Sequence, residues 1–209
     1  MRFVLLAVAL FAVAPLAAAQ SLDRFLKAVD EGDVATVAAY LDRGLDPNTP
    51  DKAGNTPLMS AARQGHRDLV RLLIARKADV NRRSPVGDTA LMYASLKGQL
   101  DCVKLLVENG ARHAGGGWSP LQYAAYEGRA DVLRYLVEKG ADKDAPAPNG
   151  QTPLMLAVRS GKSEAVQALL YADADLRAKG PSGETALSLA LGRRDGEMEA
   201  LLRRAGAVE

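Results

Sequence analysis

The chain has 209 residues, of which 48% are apolar and 25% are charged, and this balance excludes an intrinsically disordered protein. Lys and Arg total 27 against 25 Asp and Glu, so the net charge is only +2. That charge disfavours a nucleic-acid-binding protein, which would normally have a large basic excess. One Cys cannot form an internal disulfide, and two His are too few for a His-rich metal cluster.

The first residues have the pattern of an export signal. Arg2 provides a positive start, residues 3–14 are uninterrupted apolar residues, Pro15 breaks that run, and small residues end at Ala19. This pattern predicts a signal peptide over residues 1–19, cleavage after Ala19 and a mature domain over residues 20–209. The apolar run is short for a membrane span of about 20 residues, so we favour cleavage over an uncleaved anchor.

The short basic start is typical of bacterial export signals. We therefore expect a protein exported to the periplasm, with extracellular release as the alternative. After cleavage of the signal, we expect no stable insertion into the membrane.

The rest of the chain repeats a pattern with a period of about 33 residues. Gly32, Gly65 and Gly98 are 33 residues apart, Gly128 follows after 30, and Gly161 follows after 33 again. A similar motif precedes each glycine from Gly65 onward and occurs once more near the C-terminus: NTPLMSAA (55–62), DTALMYAS (88–95), WSPLQYAA (118–125), QTPLMLAV (151–158) and ETALSLAL (184–191). A fixed period of this length predicts a stacked array of structural repeats.

Each repeat has the local signals of two short helices. In the copy that begins at Asn55, Thr56 is suited to the N-cap, Pro57 to the first helical position and Gly65 to the helix end. A second apolar segment, residues 69–73, predicts the second helix. Four aspartates are expected to shape the turns: Asp51, Asp79, Asp142 and Asp175. One unit cannot bury its apolar faces alone, so neighbouring units must stack.

These motifs resemble the ankyrin repeat, whose pattern joins T-P-L-H-x-A, a G-H turn, a V-x-x-L-L helix and a G-A-D-x-N turn. Residues 51–83 match this pattern closely, and the resemblance covers about residues 22–207. It implies an all-α ankyrin-repeat solenoid of about six helix-turn-helix units, of which the first and last are caps. The predicted boundaries are 22–50, 51–83, 84–113, 114–144, 145–179 and 180–209.

One departure from the family pattern is uniform. The His that follows T-P-L in the family normally ties adjacent units through hydrogen bonds. In this chain the corresponding residues are Met59, Met92, Gln122, Met155 and Ser188. The resemblance therefore implies a reduced rigidity between units rather than a different fold.

The residues with reactive side chains fit structural positions. His66 lies in the Gly-His turn of the family pattern, and Cys102 takes the apolar position equivalent to Leu69, which predicts a buried thiol. Residues 115–117 are three glycines without the Lys-Ser/Thr of a phosphate-binding loop, so we interpret them as a shortened turn. With two histidines in turns, no Ser-His-Asp set is expected. We predict no catalytic site, no metal and no cofactor.

The repeat register predicts which residues face the concave groove of the array. They are the residues flanking each turn glycine and the two residues before each helix-ending glycine. The second and third units contribute Lys52, Asn55, Arg63, Gln64, Val86, Asp88, Leu96 and Lys97. The fourth and fifth contribute Trp118, Tyr126, Glu127, Asn149, Gln151, Arg159 and Ser160.

Four of the chain's few aromatic residues converge on the third and fourth units, and aromatic residues are enriched in binding hot spots. The predicted partner-binding residues are therefore Trp118, Tyr126, Tyr93, Tyr123, Leu96, Lys97, Glu127, Arg63, Asn55 and Arg159. An alternative interpretation is that Tyr93 and Tyr123 fill the space between repeats, while Trp118 covers the gap left by the shortened loop.

The resemblance implies a non-enzymatic module that binds another protein through its turns and first helices. We expect a monomer that binds a protein partner and no nucleic acid. One alternative is a secreted effector that binds a host or competitor protein, and another is an enzyme or metal-dependent protein.

Overall fold

A computed structural model describes residues 20–113 and 117–208 of the chain. The predicted signal peptide and residues 114–116 of the glycine turn lie outside the described residues. The described ranges contain twelve helices and no strand, so the predicted all-α architecture is confirmed. None of the described helices combines the length and apolar character that crossing a membrane requires.

Consecutive helices pair into hairpins, which we number as units 1 to 6. The helices are α1 (20–31), α2 (Val34–Asp42), α3 (Pro57–Gln64), α4 (Arg67–Ala75), α5 (Ala90–Lys97), α6 (Leu100–Glu108), α7 (Pro120–Glu127), α8 (Ala130–Glu138), α9 (Pro153–Arg159), α10 (Ser163–Tyr171), α11 (Ala186–Gly192) and α12 (Gly196–Arg204). Unit 1 is α1 and α2, unit 2 is α3 and α4, and so on to unit 6.

The first helix of each unit from α3 onward begins at a side-chain cap. In α3 the hydroxyl oxygen of Thr56 accepts the backbone N–H of Met59 at 3.3 Å, and the Met59 sulfur accepts the N–H of Thr56 at 3.4 Å. These bonds satisfy donors that a helix start leaves unpaired. The helix ends at Gly65, whose φ of 83° is the left-handed conformation that suits glycine.

The helices form two rows. The inner row is α3, α5, α7, α9 and α11, and its members pack against one another more closely than do α4, α6 and α8 of the outer row. Fully buried alanines such as Ala61 and Ala94 allow this close approach. We call the surface formed by the inner row and the turns before and after its helices the inner face.

One continuous hydrophobic core runs through all six units, from Phe25 in α1 to Ala207 after α12. Leu69, Leu73 and Leu106 on the outer-row helices are completely buried in it. Each unit therefore depends on its neighbours for burial, as expected for a solenoid.

Polar side chains also join consecutive units at their turns. Asn81 accepts the N–H of Arg112 at 2.9 Å and donates to the carbonyl oxygen of Gly110 at 3.0 Å. His66 Nε2 donates to the carbonyl oxygen of Asp30 in unit 1 at 2.9 Å, a structural role that matches its predicted place in the turn. Units that lack the family's His are therefore connected through other groups.

The four aspartates expected in turns have that role. Each accepts, through its carboxylate, the backbone N–H of the residue two positions later: Asp51, Asp79, Asp142 and Asp175. This local hydrogen bond is the Asx-turn, which stabilises a reversal of the chain without any contact to another unit.

Candidate functional site

Three aromatic side chains come together at the start of α7. Trp118 lies immediately before the N-cap residue Ser119, so its ring reaches over the first turns of the helix. Tyr123 and Tyr126 are three residues apart in α7 and are therefore neighbours on its surface. The ring centroid of Trp118 is 5.4 Å from that of Tyr123 and 5.7 Å from that of Tyr126. We call these three residues the aromatic cluster.

The aromatic cluster is accessible from the inner face. The Tyr126 side chain is 46% exposed, and Trp118 and Tyr123 are half-buried. The ring of Tyr126 is nearly perpendicular to that of Trp118, at 86°, which is a favourable edge-to-face arrangement. The three rings support one another and present a preformed apolar surface.

The tyrosine hydroxyls tie this surface to the preceding units. The Tyr93 hydroxyl donates to Asn55 at 3.2 Å, and the Tyr123 hydroxyl donates to the Asp88 carboxylate at 3.0 Å. Burial, followed by this hydrogen bond to Asp88, raises the pKa of Tyr123 to about 12, so the hydroxyl remains a donor at neutral pH. Tyr93 and Tyr123 thus join neighbouring units through their hydroxyls, while their rings remain half-exposed.

Two clefts border the aromatic cluster. The first, which we call the apolar cleft, has a volume of about 500 Å³, and its walls include Val86, Asp88, Trp118 and Tyr123. Val86 is 78% exposed there. The second, which we call the charged cleft, has a volume of about 400 Å³ and is lined by Tyr126, Glu127, Arg159, Ser160 and Lys162.

The remaining predicted site residues lie on the inner-row helices or their turns. Arg63, Lys97, Glu127 and Arg159 occupy the last turns of α3, α5, α7 and α9, so they follow one another along one edge of the inner face. The guanidinium of Arg63 is 6.0 Å from the centre of the Tyr93 ring, within range of a cation–π contact. Leu96 is half-buried beside the exposed Lys97.

One residue predicted to face the groove does not. Gln151 is only 3% exposed, so its predicted place on the open groove was wrong. Its side chain folds back into the turn, where its Oε1 accepts a hydrogen bond from the Asn149 amide at 3.3 Å. The equivalent Asn55 and Asp88 instead accept the hydroxyl of a tyrosine from the next unit.

The sequence prediction omitted two cations of the inner face. Lys162 lines the charged cleft, and it was omitted because it follows the helix-ending glycine instead of preceding it. Arg83 lines the apolar cleft from the turn before α5. The repeat register could have identified Lys162, because Arg129 occupies the equivalent position in unit 4.

The reactive side chains of the described chain are held in structural positions. Cys102 is 1% exposed, and burial raises the pKa of its thiol to about 11, which keeps it protonated and unreactive. Within residues 20–113 and 117–208, no group of three or more His, Cys, Asp or Glu side chains is arranged to hold a metal ion.

Stacked helical hairpins with capped inner helices and a continuous core define a solenoid of the helical-repeat class. A family model described as ankyrin repeats (three copies) matches residues 25–115, 86–147, 112–180 and 143–207. The chain therefore belongs to the ankyrin-repeat family, and the resemblance seen in the sequence is confirmed. Ankyrin repeats are generally protein–protein interaction modules and are typically non-enzymatic.

A curated relative gives the same family over a shorter stretch. The ankyrin repeat-containing protein P1E11.10 of Schizosaccharomyces pombe is 39% identical to this chain over 47 residues. The aligned part covers 22% of this chain and 23% of that protein, so the similarity spans less than a quarter of either.

Proposed function

We propose that this protein is a non-enzymatic, monomeric module that binds another protein through its inner face, with the aromatic cluster as the anchor. The observation that carries the proposal is the contact of Trp118 with Tyr123 and Tyr126 between two clefts. Preformed aromatic surfaces lose little conformational entropy on binding and are frequent hot spots. The charged residues along the same edge, including Lys97 and Arg159, supply a polar rim.

The proposal is tested with a double variant and a matched control. Trp118→Ala/Tyr126→Ala removes the exposed rings of the cluster, while Tyr171→Ala removes an aromatic ring that is 88% exposed on outer-row helix α10. We expect affinity capture from a periplasmic extract to recover a protein with the wild type and with Tyr171→Ala, but not with the double variant. Loss of two hot-spot side chains should weaken binding by at least about tenfold.

Far-UV circular dichroism of each variant separates lost binding from lost folding. Identical captured proteins with all three chains would contradict the assignment of the inner face. Light scattering of the purified protein tests the monomer, and a stable dimer would refute that part of the proposal.

We further propose that the protein is exported to the periplasm after cleavage behind Ala19. The apolar run of residues 3–14 and the small residues before Gln20 support this. Intact mass measurement of the protein from a periplasmic fraction should find a chain that begins at Gln20. A chain that retains residues 1–19 would contradict cleavage, and recovery mainly from the culture medium or from target cells would favour the secreted effector.

A further inference from the structure

We infer that the partner presents an acidic segment that also carries an apolar side chain, and that this segment lies along the inner face of units 2 to 5. The inference rests on the proposed binding function of the inner face and names the chemistry of its partner.

Positive charge is concentrated along one edge of the inner face. We call the basic edge the set of cations in the last turns of the inner-row helices and immediately after the glycines that follow them: Arg63, Lys97, Arg129, Arg159 and Lys162. Glu127 is the one carboxylate at the equivalent positions of units 2 to 5, and Arg129 lies 3.9 Å from it. The charge of the edge therefore exceeds the net +2 of the whole chain.

Two cations of the basic edge are available to a partner. Among residues 20–113 and 117–208, no carboxylate lies within 4.0 Å of the ammonium group of Lys97 or of Lys162. Several exposed cations of the outer-row helices instead pair locally, as Arg71 does with Asp68 at 2.7 Å and Arg203 with Glu199 at 2.8 Å. Unpaired cations on the same edge attract an acidic partner and accelerate its association.

The apolar cleft adds a second requirement to the partner. Val86 is 78% exposed beside Trp118 and Tyr123, and burying these surfaces would be favourable. Asp88 lies in the same cleft, so a polyanion with a phosphate or sulfate at every unit would bring like charges together there. A polypeptide can place an apolar side chain in this cleft and carboxylates along the basic edge, and for that reason we favour a peptide segment over nucleic acid.

The inference is tested by peptide selection. Randomised twelve-residue peptides displayed on phage are selected against the purified protein, and the enriched sequences are synthesised with a fluorescent label for anisotropy titration. We expect sequences with several Asp or Glu residues and at least one aromatic or branched apolar residue. Emission of Trp118, the only Trp of the chain, should change when such a peptide binds.

Charge variants then test the assigned edge. Lys97→Glu/Lys162→Glu should weaken binding of the acidic peptides by about tenfold or more and reduce the dependence of Kd on salt. The matched control, Lys104→Glu/Lys139→Glu, makes the same change of net charge on the outer row, where both ammonium groups flank Tyr135. The control should change Kd by less than about twofold.

The outcomes separate this inference from the proposed function. Neutral or basic peptides that lose binding in Trp118→Ala/Tyr126→Ala would overturn the acidic partner and retain the binding surface. Acidic peptides with equal affinity for Lys97→Glu/Lys162→Glu and wild type would overturn the basic edge. Failure to select any peptide, or tighter binding of a twelve-nucleotide single-stranded DNA, would overturn the acidic polypeptide segment.

Discussion

Gln122 is a buried amide that connects unit 4 to unit 5, and its replacement tests how the units are coupled. Its Oε1 accepts the N–H of Ser119 at 2.8 Å, and its Nε2 donates to the carbonyl oxygen of Ala145 at 2.9 Å. The equivalent residues of units 2 and 3 are Met59 and Met92, whose sulfur atoms accept the N–H of the capping threonine but cannot donate. The chain therefore provides its own conservative replacement.

The two replacements of Gln122 should differ in cost. Gln122→Met retains the volume of the side chain and an acceptor for Ser119, so it loses only the bond to Ala145, about 1 kcal/mol of the free energy of unfolding. Gln122→Ala loses both bonds and leaves a cavity at a position that is 3% exposed. The sum of these effects is about 3 kcal/mol.

Urea unfolding followed by far-UV circular dichroism and by the emission of Trp118 measures both differences. Gln167→Ala, which truncates an exposed glutamine on α10, is the control and should change stability by less than about 0.5 kcal/mol. If Gln122→Met were as destabilising as Gln122→Ala, the bond to Ala145 would account for the whole loss. The contributions expected from the Ser119 bond and from the cavity would then be wrong. If neither variant were destabilised, the amide would have no role in coupling.

Three further predictions concern the array itself. Leu106 is fully buried in α6, so Leu106→Ala should lower the free energy of unfolding by about 3 kcal/mol in urea titrations, and a loss below about 1 kcal/mol would contradict the continuous core. Gly98 and Gly110 have φ of 75° and 84°, but a Cβ would meet a side chain only at Gly98, 2.7 Å from Cδ of Arg129. Gly98→Ala should therefore lower Tm more than Gly110→Ala does, and equal losses would refute the close approach. Because burial raises the pKa of the Cys102 thiol from 9.0 to about 11, the thiol should not react with a thiol reagent until the protein unfolds. The protonated thiol contributes fully to the stability of the folded state below pH 9, and this contribution is lost as pH rises through about 11. Between these pH values the wild type should therefore lose more stability than Cys102→Ala does in thermal scans.

The helices were predictable because their signals are local. Thr56, Pro57 and Gly65 lie within ten residues of one another, and each acts on backbone groups of the same helix. The turn aspartates are equally local, since Asp79 bonds an N–H only two residues away. A pattern of this kind needs no knowledge of neighbouring units.

The inner face was predicted only in part, because the direction of a turn side chain depends on the next unit. Asn55 and Gln151 occupy equivalent positions, yet Asn55 accepts the Tyr93 hydroxyl, whereas the buried Gln151 contacts Asn149 of its own turn and the Glu184 carboxylate of unit 6. Unit 6 has Leu189 where unit 3 has Tyr93, so no hydroxyl reaches back to Gln151. The register therefore identifies the position but does not decide its exposure.

By itself, the sequence determined the repeat, the all-α units and the family, since these follow from short-range hydrogen bonding and apolar periodicity. Only the tertiary structure decided that Trp118 contacts both Tyr123 and Tyr126, that Val86 stands open beside them, and that Lys162 joins the same face. Contacts between units depend on how closely the inner helices stack and which side chains fill each gap. Those distances arise from packing many residues at once, so they are absent from any single motif.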